Sequence, residues 1–185
     1  MTFDISFLNR KKLSGFYLFC FFTFLTFLLY YQSLNNFFVL DDFIRLKVIA
    51  GGSMSENFHF IPVPLIIYRI LYLIFGLDPV PLRVLNYFIN ALTCLIIFKL
   101  SYRIFRQFDS ESNENIILWK SLLISILFCI HYIHVETLVY FSELHELLYS
   151  LFYLTGLYSY FKYRQDKNSF SLFWVFLSYA LCIFS

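Results

Sequence analysis

Two adjacent carboxylates, Asp41 and Asp42, follow the apolar run Phe37-Phe38-Val39-Leu40. Paired acids where a chain leaves an apolar segment can act as a general base or ligate a metal ion. The simpler account is a cap for a following helix. A second set is His131-Tyr132-Ile133-His134-Val135-Glu136. Its histidines are three residues apart, so on a persisting helix they share a face and could hold a divalent ion or a phosphate. The spacing is not an established zinc signature such as H-E-x-x-H, and histidines facing lipid headgroups are the plainer reading. Glu143-Leu144-His145-Glu146 opens the next apolar stretch, where acids complement a helix dipole. His59 precedes Phe60-Ile61-Pro62, as a ligand-contacting residue or as a loop residue ahead of a helix.

The segments that must position these residues are mostly apolar. Of the 185 residues, 60% are hydrophobic and 14% charged. Soluble domains carry about 45–50% apolar and about 25% charged residues. The composition therefore predicts an all-α, polytopic membrane protein with lipid as its main solvent. Five spans are expected, at 13–34, 80–100, 121–135, 147–160 and 170–185, in one membrane domain covering 1–185. A sixth apolar stretch, 61–76, contains Pro62, Pro64 and Arg69. If it lies flat on the outer surface, Arg10, Lys11, Lys12, Lys99, Arg103, Arg106, Lys120, Lys162, Arg164 and Lys167 all fall on the cytoplasmic side. If it spans, Arg103, Arg106, Lys120, Arg164 and Lys167 move outside. The positive-inside rule selects the first arrangement, with an interfacial helix inside a first outer loop at 35–79.

That topology places the N-terminus in the cytoplasm. It gathers Asp41, Asp42, Glu56, Asp78, Glu136, Glu143, Glu146 and all four histidines on the outer face. A net charge of +2 and the lack of a dense basic tract argue against a nucleic-acid partner. Cys20, Cys94, Cys129 and Cys182 each sit in an apolar run and read as small packing residues. The run after Arg10-Lys11-Lys12 is too long for a signal peptide and has no A-x-A-like cleavage site, so it reads as an uncleaved first span.

Four features in order resemble the polytopic C-type glycosyltransferases, which use lipid-linked sugars. They are a helix followed by Phe37-Phe38-Val39-Leu40-Asp41-Asp42; His59-Phe60-Ile61-Pro62 with an apolar helix ending Leu77-Asp78-Pro79; Leu82-Arg83-Val84-Leu85-Asn86-Tyr87; and the stretch from Phe128 through His131, His134 and Glu136 to Ser142. The last is similar to a stretch of the O-mannosyltransferases that carry tetratricopeptide repeats, and of their bacterial relatives. The resemblance covers the chain from about Phe16 onward. It implies a partial C-type core that transfers a sugar from a polyprenyl- or dolichyl-phosphate donor to an acceptor on the outer face. Asp41 or Asp42, with Asp42 preferred, would be the catalytic base. His59, His131, His134 and Glu136 would contact the substrate or its lipid phosphate, and a divalent metal ion is a candidate cofactor.

This sequence departs from the family at several points. Tyr132 stands where a proline is expected, and Leu144 and His145 occupy the region of a common arginine. The family core has more spans than this chain supplies. The chain is therefore expected to be the N-terminal part of such a module, truncated or paired with another membrane chain. The competing expectation is a non-catalytic accessory protein or a degenerate remnant. A transporter ranks last, because the interiors of the spans lack acids. Without repeats, the short form points to a bacterial inner membrane rather than the endoplasmic reticulum.

Overall fold

A computed structural model describes residues 13–39, 41–49, 61–109 and 113–185. Among them all regular structure is helical: α1 (Leu13–Tyr30), α2 (Asp41–Ile49), α3 (Pro62–Phe75), α4 (Val80–Phe108), α5 (Glu114–Ile130), α6 (His134–Val139), α7 (Leu144–Asp166) and α8 (Ser169–Ile183), with short 3-10 turns after α1 and before α7.

The helix ends follow local chemistry. Pro62 and Pro64 open α3, where missing N–H groups cost nothing. The chain leaves α3 through Gly76 at φ 67°, which a residue without Cβ adopts freely. Asp78 Oδ1 accepts from Val80 N at 2.9 Å at the start of α4. Asn113 and Asn168 cap α5 and α8 by accepting from Asn115 N and Phe170 N.

Helix α4 is the axis of the bundle, packed against α1, α5 and α7. One core joins α1, α4 and α5 through Leu18, Phe22, Ala91, Cys94, Phe98 and Cys129. A second lies where α2, α3, α4, α6 and α7 meet, around Tyr68, Tyr87, Leu138, Leu144 and Leu148. Helices α7 and α8 form the most extensive pair. Small residues let them approach: a Cβ on Gly156 would lie 3.5 Å from Ser178 Cβ, and Ser159, Ser171 and Ser178 are buried. The termini of α2, α3 and α6 gather at one end of the bundle with the start of α4. At the opposite end Arg103 donates to Gln165 at 2.9 Å and Lys120 pairs with Asp109 at 2.7 Å.

Several boundaries differ from the sequence expectation. Two stretches, Gly15–Ser33 and Val80–Phe108, are long and apolar enough to cross a membrane among the described residues. That is fewer than the five spans expected. Helices α5 and α8, at 17 and 15 residues, fall short of the ~20 residues a crossing takes. Helix α4 continues past residue 100 to Phe108, and α7 runs on to Asp166, so the expected polar loops shrink to short turns. Charged residues at those ends are good helix formers, and hydropathy alone stops too early. The third expected span ends at Ile130 because His131 is extended (ψ 128°) and its Nδ1 takes the Ile133 N–H at 3.3 Å. The first outer loop contains an additional helix, α2. The tract at residues 10–12 and His59 lie outside the described residues.

The surface of the bundle is apolar over wide areas. Phe16 and Phe24 of α1, Leu73 and Ile74 of α3, and Phe176 and Tyr179 of α8 are each more than 60% exposed. Soluble monomers rarely show contiguous patches of this kind.

Arg83 is 2% exposed and donates to four main-chain carbonyls: Leu34, Asn36, Phe37 and Val139. Replacing it with methionine would leave these acceptors unpaired, at roughly 1–3 kcal/mol for each one that stays buried. Arg83→Met is expected to melt well below wild type by circular dichroism in detergent, with Arg83→Lys in between. Equal melting of all three would show that the carbonyls find other donors.

Candidate functional site

The site is built at the end where α4 begins. Arg83 takes the carbonyls of Leu34, Asn36 and Phe37, from the segment that leaves α1, and of Val139 at the end of α6. Asp42 takes the matching N–H groups. Its Oδ2 accepts from Val39 N at 3.1 Å and its Oδ1 from Ser142 N at 2.8 Å. Segments 34–39 and 139–142 are thus both strung between one buried cation and one buried anion. The bond to Val39 is returned by Asp42 N to Val39 O at 3.0 Å, which closes the turn entering α2. Such charge-assisted bonds are roughly twice as strong as neutral ones.

This arrangement places Asp42 inside the knot. With 1% exposure and both oxygens occupied by backbone donors, it is an architectural residue in this structure. Asp41 is the first residue of α2. Around the knot, Arg45 Nη2 lies 3.5 Å from His145 Nδ1, and the same nitrogen lies 3.0 Å from Ser142 O. Its tautomer decides which contact is a hydrogen bond. Tyr68 packs beneath; burial pushes its hydroxyl up, and the nearby Arg45 charge opposes that only partly.

The expected trio His131, His134 and Glu136 does not converge. Helix α5 stops before His131, so the two histidines do not share a helical face. His131 is exposed and stacks on Tyr132, with ring centroids 4.9 Å apart. Glu136 is exposed. His134 is half-buried against Phe128, with ring centroids 4.3 Å apart, and 6.2 Å from the His131 ring. Burial, and then His131, lower its pKa below the ordinary 6.5, so it is neutral at neutral pH. Among the described residues no group of three or more His, Cys, Asp or Glu side chains could hold a metal ion. The proposed divalent cofactor therefore has no such cluster there, and His59 lies outside the described residues.

One feature escaped the sequence reading. Arg83, Asn86, Asn90 and Thr93 form a buried polar stripe down the first half of α4, at a helical spacing of three to four residues. Amides repeated at that period inside an apolar helix were a readable signal. Asn90 Nδ2 donates to Thr26 Oγ1 at 3.1 Å and reaches Cys129 Sγ at 4.0 Å. Asn86 Oδ1 is buried without a hydrogen-bond partner. Beside the stripe, Asn90, Thr93, Phe128, Ile133, His134, Thr137, Glu146, Leu147 and Ser150 line a cavity of about 210 Å³.

Asp42→Asn replaces one accepting oxygen with an NH2 donor facing a backbone N–H. It is expected to cost roughly 1–3 kcal/mol in a denaturation series, whereas Asp41→Asn leaves both Asp42 bonds in place and should match wild type. By NMR, the His134 ring should titrate below 6.5 and rise part-way in His131→Asn, since burial remains. Comparison of the chain with protein-family models, curated proteins and solved structures finds no match in any of the three.

Proposed function

We propose that this chain is a multi-pass membrane protein that transfers a sugar from a polyprenyl-phosphate donor to an acceptor on the non-cytoplasmic face. In this reading α1, α4, α5, α7 and α8 are five spans, and α3 lies along the outer surface. The N-terminus is cytoplasmic and the bilayer is a bacterial inner membrane. Wide exposure of large apolar side chains on α1, α3 and α8 supports a lipid environment. The shorter helices can be accommodated by local thinning of the bilayer or by snorkelling of flanking residues.

The observation that carries the reaction is a convergence. Three stretches that resemble C-type glycosyltransferases, at 37–42, 82–87 and 128–142, are tied into one knot by Arg83 and Asp42. A donor whose tail lies in lipid presents its phosphate at the surface, so reacting groups belong at helix ends. An acceptor hydroxyl is a poor nucleophile, and a positioned carboxylate acting as general base contributes about 10²–10⁴-fold. With both Asp42 oxygens engaged, Asp41 is the better candidate base. His59 and the exposed His131 would face the donor phosphate, and a partner membrane chain would complete the core.

A second reading is a non-catalytic accessory protein. It is favoured by the full engagement of Asp42 and by the absence of Lys or Arg from the cavity lining.

The test is a glycan and glycolipid profile by mass spectrometry, comparing a deletion strain with strains rescued by wild type or Asp41→Asn. The transferase reading expects a sugar that is lost on deletion and restored by wild type but not by Asp41→Asn. Rescue by Asp41→Asn would move the assignment to the accessory role. An unchanged profile on deletion would remove glycosyl transfer altogether. Cysteines placed at Glu136 and Asp166 should label from opposite sides of the membrane, and labelling from one side would overturn the topology.

A further inference from the structure

The cavity between α4, α5, α6 and α7 is lined by acceptors whose own hydrogens are already spent. Thr93 Oγ1 donates to Ile89 O at 2.9 Å, and Thr137 Oγ1 donates to His134 O at 3.0 Å. Each hydroxyl therefore offers only lone pairs to the cavity. Asn90 commits its amide nitrogen to Thr26 and Cys129 and keeps its carbonyl oxygen. Glu146 adds a carboxylate at the rim, where His145 Nε2 lies 3.5 Å from it. Among the side chains of the lining, a neutral His134 and Ser150 are left as donors. One turn along α4, the unpartnered Asn86 Oδ1 extends the same shortage of donors.

The wall excludes some ligands and selects others. It contains no Lys or Arg, so a phosphate would meet a carboxylate and no counter-charge. Its volume of about 210 Å³ is far more than a bare ion needs, yet below the ~300–1,000 Å³ of drug-sized sites. Phe128, which packs on the His134 ring, is an aromatic member of the lining. An ammonium group has three donors and no acceptor, which complements this lining.

We propose that this cavity binds a primary ammonium group carried on a small hydroxylated molecule or on a lipid head, with Glu146 as its counter-charge. The inference concerns binding alone and does not depend on the transfer reaction proposed above.

The experiment uses the full chain in phosphatidylcholine nanodiscs, with glucosamine and glucose as probes in calorimetric titrations at neutral pH. Glucosamine should bind at least about tenfold more tightly than glucose, and Glu146→Gln should remove most of that preference. Glu146 is half exposed, so the variant should fold, which an unchanged melting curve would verify. A parallel set of nanodiscs containing phosphatidylethanolamine separates the two sources. Loss of glucosamine binding there assigns the site to a lipid head; undiminished binding assigns it to a soluble amine. The proposal fails if glucose and glucosamine bind alike. It fails if neither glucosamine nor phosphatidylethanolamine is bound. It also fails if sodium chloride displaces the probe while choline chloride does not, which would identify a metal-cation site.

Discussion

One pair of buried charges, Arg83 and Asp42, organises the end of the bundle where α4 begins. Arg83 can only donate, and it takes the carbonyls of segments 34–37 and 139. Asp42 can only accept, and it takes the N–H groups of Val39 and Ser142. Two irregular stretches about a hundred residues apart are thereby held without any strand pairing. In a low-dielectric interior their backbone groups would otherwise be left unpaired, which costs more than the hydrogen bonds themselves return. The long connections of this chain can be irregular at that end because these two side chains satisfy them.

Below the knot the interior changes character. Tyr87 donates to Tyr30 O at 2.7 Å and meets Ser33 Oγ at the same distance, tying α4 to the end of α1. Further down, Thr26, Asn90 and Cys129 join α1, α4 and α5. Most of these groups point their hydrogens at one another or at helix carbonyls. The face left toward α6 and α7 is therefore rich in lone pairs, which gives the cavity its chemical bias. That bias sets it apart from the Arg83–Asp42 knot, where anion and cation are matched.

Both acids at the start of α2 are candidates for chemistry by residue type, with Asp42 preferred by the resemblance. Packing separates them. Asp42 turns inward to the backbone of a distant segment, while Asp41 heads the helix. The pair of histidines was read as one face of a helix, and the break at His131 removes that face. The ring of His131 itself supplies the alternative hydrogen bond that ends α5. In both cases a single local or long-range hydrogen bond decided what the side chain is free to do.

Helical class, apolar composition, the proline-led start and glycine-led end of α3, and the concentration of acids and histidines near one set of helix ends were legible in the residues alone. These features depend on intrinsic propensity, φ restriction and hydropathy, which act over one or two turns of chain. Arg83 was visible too, but only as one residue of the stretch Leu82-Arg83-Val84-Leu85-Asn86-Tyr87. That it binds four carbonyls from two separate segments, that Asp42 serves Ser142, and that Asn90 and Thr93 open on a cavity beside His134 were settled by the tertiary structure. A buried hydrogen bond is fixed by where two backbones pass each other, and one chain's local pattern carries no record of which distant segment will arrive there.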